Sequence, residues 1–168
     1  MKKFLMLTAI LCTAALTAGD TVLNTWNFAK QGPSLYRIKA ITTKSSVVNG
    51  TYKLEVVKNI DQKKNSANIQ LWCSSKGLKG GVKYRVDFTI KANKDASAPR
   101  FVMMTHKPWT SVVNKTVKLT ANKAEHVAIA FSLKEDSKDI YRTPCFCLGM
   151  AEPGTVFEIS DVKLVEVK

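Results

Sequence analysis

The side chains able to do acid, base or nucleophilic chemistry are sparse in this chain, and their spacing does not gather them. Glu135, Asp136 and Asp139 fall in one charged loop with Lys134 and Lys138, while Glu55 and Asp87 stand singly on outward positions of alternating segments. Two-carboxylate hydrolysis needs a pair flanking the scissile oxygen, one of them held protonated by its surroundings. Nothing in the sequence pairs them. His106 and His126 are the only imidazole bases, there is no Gly-x-Ser-x-Gly elbow, and no His/Cys spacing fits a catalytic zinc.

A better signal is one of recognition. In Asn68-Ile69-Gln70-Leu71-Trp72, a period of two sends Ile69 and Leu71 to a core and Asn68, Gln70 and Trp72 to the opposite face. Trp72 beside two amides is suited to binding; the alternative is that it packs under a loop or covers a sheet edge. Trp109, after Pro108 in a loop, is a second aromatic candidate or a loop plug. Arg100 and His106 flank the strand Phe101 to Thr105 and are placed to meet a polar ligand, Arg100 by forking onto a carboxylate. Tyr36 and Tyr141 read equally as contacts or loop anchors, and Trp26 belongs to the core or the N-terminal seam.

The elements that must position these residues are strands. The mature chain alternates short apolar runs with turn-rich breaks and carries no sustained period-3.6 stripe. In Tyr84 to Ala92, the set Tyr84, Val86, Phe88, Ile90 and Ala92 faces inward, and Arg85, Asp87, Thr89 and Lys91 face out. Tyr52 to Val56 and His126 to Leu133 alternate in the same way, as half-buried strands of a sandwich do. Further strands are expected at 36–42, 68–73, 100–105, 115–119, 144–148 and 155–167. In the last, the inward set shifts from Phe157 and Ile159 to Val162 and Leu164, which a bulge at Ser160-Asp161 explains. The expectation is an all-β domain, a two-sheet antiparallel jelly-roll β-sandwich of about nine strands.

Met1-Lys2-Lys3 followed by the apolar stretch Phe4 to Leu16 has the form of a secretory signal peptide, with cleavage after Ala18 or Gly19. Residues 1–19 are therefore read as leader and 20–168 as one secreted or periplasmic domain. The stretch is too short for a good membrane span, and Leu11 before Cys12 does not suit lipidation. Lys and Arg number 26 against 13 acidic residues, a net +13 that becomes +11 without Lys2 and Lys3. The lysines are spread along the chain, which makes either a solvated basic surface or an attraction to an acidic polymer. No nucleic-acid motif accompanies the charge. Cys73, Cys145 and Cys147 remain after cleavage, an odd count. Cys145 and Cys147 should point to one face and are poorly placed to bond each other, while a bridge from Cys73 to either stays open.

The order of features resembles the CenC-type carbohydrate-binding module family, a jelly-roll, galactose-binding-like family whose members often accompany glycoside hydrolases acting on xylan or β-glucan. The resemblance begins around Trp26-Asn27-Phe28 and Tyr52-Lys53-Leu54. It continues through Ile69-Gln70-Leu71-Trp72, Leu78-Lys79-Gly80-Gly81-Val82-Lys83-Tyr84 and Phe88 to Ala92. Later pieces are Lys107-Pro108-Trp109-Thr110-Ser111, Thr116 to Thr120, Phe146-Cys147-Leu148-Gly149 and Phe157 to Leu164. What this implies is a concave sheet face that holds a polysaccharide, an acidic one if the positive charge is functional. A pyranose lays its C–H face on an aromatic ring and offers its hydroxyls to directional polar partners. The implied ligand residues are Gln70, Trp72, Asn68, Trp109, Arg100 and His106. Some members carry a structural calcium joining the first strand to the last; Asp161 matches its carboxylate, but Ser160 stands where a second acidic residue is common. The other readings are a structural or protein-interaction sandwich without sugar binding, and a lyase of an acidic glycan.

Overall fold

The computed structural model describes residues 19–60, 65–75, 78–96, 99–104, 111–136 and 141–168, apart from the side chains of 75 and 141–143. These residues form eleven strands: β1 (Thr21–Trp26), β2 (Ser34–Arg37), β3 (Thr42–Val48), β4 (Thr51–Lys58), β5 (Ile69–Ser75), β6 (Lys83–Ala92), β7 (Arg100–Met104), β8 (Ser111–Thr116), β9 (Ala124–Ser132), β10 (Tyr141–Cys147) and β11 (Thr155–Val167). A 3-10 turn, Ser66–Asn68, leads into β5. One sheet has the order β3-β4-β11-β6-β9 with β1 also on β11, and the other runs β2-β5-β10-β7-β8. All the pairings are antiparallel.

Two strands exceed the nine expected, and both are edge strands whose side chains are mostly exposed on either face. β3 has only one residue that is even half-buried, so it lacks the alternation that marks a strand with one wet and one dry side. Its hairpin to β4 is closed by Asn49 (φ 50°) and Gly50 (φ 77°), both in the left-handed region that a two-residue turn of this kind requires. β1 is likewise exposed until Trp26, which is buried in the core. The strand expected at 115–119 lies earlier, at Ser111–Thr116.

The inward sets hold as read. Leu54, Val56, Ile69, Leu71, Val86, Phe88, Ile90, Phe157, Ile159, Val162 and Leu164 are all buried in one core between the sheets. Phe88 from β6 reaches across to Phe101 on β7 and Phe146 on β10, with ring centroids 5.1 and 4.9 Å away. These edge-on and stacked contacts add to the burial of three large rings, and they anchor the middle of the second sheet from beneath.

The bulge falls where the inward set changes phase. The β11–β6 register slips between Ser160 and Lys163, and Asp161 has φ 55°. Before the slip β11 pairs with β4; after it, the same edge pairs with β1. One extra residue thus restores Val162 and Leu164 to the core as the strand changes partner.

One expectation needs correction. Arg85 and Asp87 lie on the outer side of β6 but are buried, not solvated, because they pair with each other: Arg85 Nε donates to Asp87 Oδ1 at 2.8 Å, and Nη1 donates to Asp20 Oδ2 at 3.2 Å. Close charge-assisted bonds offset the loss of hydration that burial imposes.

Candidate functional site

The outer face of the five-stranded sheet collects most of the recognition residues that can be placed. On β5, Ile69, Leu71 and Cys73 join the core, so Gln70 and Trp72 turn to the other side, where both are half-buried. Registry then decides their neighbours. Tyr36 on β2 lies opposite Gln70, which lies opposite Cys147 on β10; Cys147 in turn faces Arg100 on β7, and Arg100 faces Thr116 on β8. A second row runs Ser34, Trp72, Cys145, Val102 and Asn114. Tyr36, with 46% of its surface exposed, and Trp72 are therefore diagonal neighbours, about 7–8 Å apart in such a sheet.

Local contacts hold the start of β5 in place. Asn65 caps the 3-10 turn by accepting from Ala67 N at 2.9 Å, and Gln70 Nε2 donates to Ala67 O at 2.9 Å. Gly149 packs so closely here that a Cβ on it would stand 2.6 Å from Asn65 O and 2.9 Å from Asn68 Cβ. Only glycine fits this approach. Asn68 itself belongs to the turn and not to β5, so the alternation that carries Gln70 and Trp72 does not extend to it.

Arg100 is half-buried on the face, and its Nε is enclosed without a hydrogen-bond partner among the described residues. A guanidinium N–H left so is costly unless an acceptor arrives. Trp72 and Met104 pack against a small apolar cluster of Val102, Cys145 and Cys147. His106 and Trp109 lie outside the described residues, as does the side chain of Tyr141.

The cysteines divide between the two sides of the sheet. Cys73 is in the core, where burial pushes its thiol up to about 12. Cys145 and Cys147 are on the outer side of the sheet but also buried, in the cluster on which Trp72 and Met104 pack, with their Sγ atoms 4.0 Å apart, and none of the three is in a disulfide. The sheet itself thus separates Cys73 from the other two. The Cys147 thiol is drawn down to about 7 by its hydrogen bond with Cys145, against the opposing effect of burial, and further by the adjacent charge of Arg100. Sequence reasoning placed the pair on one face but did not see that this face also carries Gln70 and Trp72.

Asp161 sits at the bulge beside the end of β1, where its Oδ2 accepts from Ser160 Oγ at 2.8 Å. Asn27 Oδ1, an amide oxygen just past the end of β1, accepts from Ala29 N at 3.0 Å. Among the described residues no three His, Cys, Asp or Glu side chains are gathered as metal ligands. A lone carboxylate falls short of the charge and oxygen count that calcium takes, so no step is derived through that ion. A recess of about 120 Å³ at one end of the sandwich is lined by Asp95 and Glu152 among others, but Asp95 Oδ1 accepts from Ala121 N at 2.7 Å. No described helix is long and apolar enough to cross a membrane.

No family model and no curated protein matches this chain. Solved structures do. The second N-terminal cellulose-binding domain of Cellulomonas fimi β-1,4-glucanase C superposes with a TM-score of 0.67 at 19% identity, over 92% of this chain and 99% of that one. A CBM4 module gives 0.65 at 21% identity, over 79% and 85%. The xylan-binding domain CBM22-1 from Paenibacillus barcinonensis gives 0.51 at 9%, over 88% and 96%. At these identities the likeness is one of architecture, and on it the chain has the two-sheet jelly-roll fold found in carbohydrate-binding modules.

Proposed function

We propose that this protein binds a polysaccharide, without catalysis, on the outer face of the β2-β5-β10-β7-β8 sheet. The observation that carries the reading is the adjacency of Tyr36, Gln70 and Trp72 on neighbouring strands, two aromatic rings and an amide on one exposed sheet face. Sugar rings lie on such rings, and their hydroxyls exchange hydrogen bonds with amides and with guanidinium N–H groups. Arg100 supplies the cation, and Asn114 stands exposed at the far side of the second row. The names of the structural neighbours, cellulose-binding and xylan-binding domains, support sugar as the ligand class. The leader read from residues 1–19 makes the protein an exported module.

Native gels loaded with soluble glycans test this directly. Trp72→Ala should abolish the retardation shown by the unaltered protein while leaving its thermal unfolding in place. Unchanged mobility of Trp72→Ala on every glycan that slows the parent would overturn the site. A salt titration divides the ligand classes: binding to acidic glycans that collapses at high salt makes Arg100 and the net positive charge functional, because such attraction is screened. Salt-independent binding to neutral β-glucans assigns affinity to the rings and amides.

A further inference from the structure

The centre of the outer face is not occupied by typical polar side chains. Between Gln70 and Arg100 lies Cys147, and between Trp72 and Val102 lies Cys145. Met104 packs on the same cluster from β7, two residues beyond Val102. We propose that Cys145, Cys147 and Met104 form a binding site for a soft monovalent metal ion of the copper(I) kind. The proposal does not depend on whether the same face also holds a sugar.

Geometry is the first argument. The two Sγ atoms are 4.0 Å apart, whereas a disulfide needs about 2.05 Å. An ion about 2.3 Å from each sulfur would subtend an S–metal–S angle of roughly 120° at this separation. That is close to a trigonal angle. The sulfurs therefore suit a shared ion without the approach that a covalent bond would demand.

The donor set is the second. Thiolate and thioether sulfur select soft ions, while calcium and magnesium take oxygen. Zinc in a structural site takes four ligands, and among the described residues no third His, Cys, Asp or Glu joins the pair. A monovalent soft ion is satisfied by two or three sulfurs.

Charge is the third. A monovalent cation between two thiolates leaves one net negative charge, and the guanidinium of Arg100 lies directly across the strand from Cys147. The ion bonds both sulfurs as each S–H proton leaves to solvent, so two thiols and one monovalent cation give a singly negative complex and two protons, and charge balances.

Anaerobic titration with copper(I) against a chromophoric chelator tests this in the full chain carrying Cys12→Ser, which removes the leader thiol. The expected result is one ion per chain. Cys145→Ser and Cys147→Ser should each weaken binding by more than the roughly 10–100-fold that outer-shell partners are worth. Met104→Leu should weaken it less, and Cys73→Ala not at all. A readout without a variant in the site is the ultraviolet absorption of copper(I)–thiolate bonds, which should rise to a plateau at one ion per chain. Equal affinity in the Cys145→Ser/Cys147→Ser double variant, no thiolate absorption on titration, or one ion shared by two chains would each overturn the site.

Discussion

The two outer faces of this sandwich share strand geometry and differ in how their polar groups are satisfied. On the six-stranded sheet, Glu158 lies between Lys53 (2.7 Å) and Lys91 (3.6 Å), and Arg85 is paired with Asp87 and Asp20. On the five-stranded sheet a tryptophan, an amide and two thiols lie side by side, and Arg100 Nε has no described acceptor. The charges of the first face are paired with one another, although Arg85 Nη2, like Arg100 Nε, is buried without a partner among the described residues. The second face instead presents exposed Tyr36 beside half-buried Gln70 and Trp72. The net charge of the chain says nothing of this division, because it sums over both faces.

Three perturbations can break or sharpen the contrast. Phe146→Ala should have the largest effect, about 3–5 kcal/mol of lost stability, because Phe146 meets both Phe88 and Phe101. Denaturant unfolding measures the loss, and glycan retention should fall with it, since Phe146 lies between Cys145 and Cys147 and anchors the strand that carries them. Retention that survives intact would mean that the outer face does not depend on this anchor.

Asp87→Ala should cost about 3 kcal/mol, because it leaves the buried Arg85 guanidinium short of its principal acceptor. Here stability and binding should separate. The unfolding midpoint should drop while glycan retention well below it is unchanged, and joint loss of both would refute the independence of the two faces.

The smallest effect belongs to Glu158→Gln, under about 1 kcal/mol, since the Lys53–Glu158 pair is partly exposed. Lys53 first, and then Lys91, hold the Glu158 carboxyl below its ordinary range. A depressed folded-state pKa stabilises the protein above the unfolded value, and that contribution is lost as pH falls through the folded one. The parent should therefore lose slightly more stability on acidification than the variant, a difference that urea unfolding at two pH values resolves. No difference would show the pair to be energetically silent.

Much of the fold was legible because burial of one face writes a period of two into the sequence. β4, β6 and the two halves of β11 could be read in this way, including the bulge at Ser160-Asp161, since only an added residue returns Val162 and Leu164 to the core. β1 and β3 were not legible by that signal, because an exposed edge strand has no dry side to alternate against. The dipeptide Asn49-Gly50 was the remaining mark of the β3–β4 hairpin.

For the site, the division is sharper. Alternation alone determined that Gln70 and Trp72 point away from the core and that Cys145 and Cys147 share a face, since that depends on nothing beyond their own strands. Asn68 escaped the rule because the chain turns before β5 begins. Only the tertiary structure decided that β5 lies between β2 and β10, and β10 between β5 and β7. Strand order is set by which arrangement buries the common core, a property of distant segments taken together. It is this order that brings Tyr36 beside Gln70, and Cys147 beside Arg100.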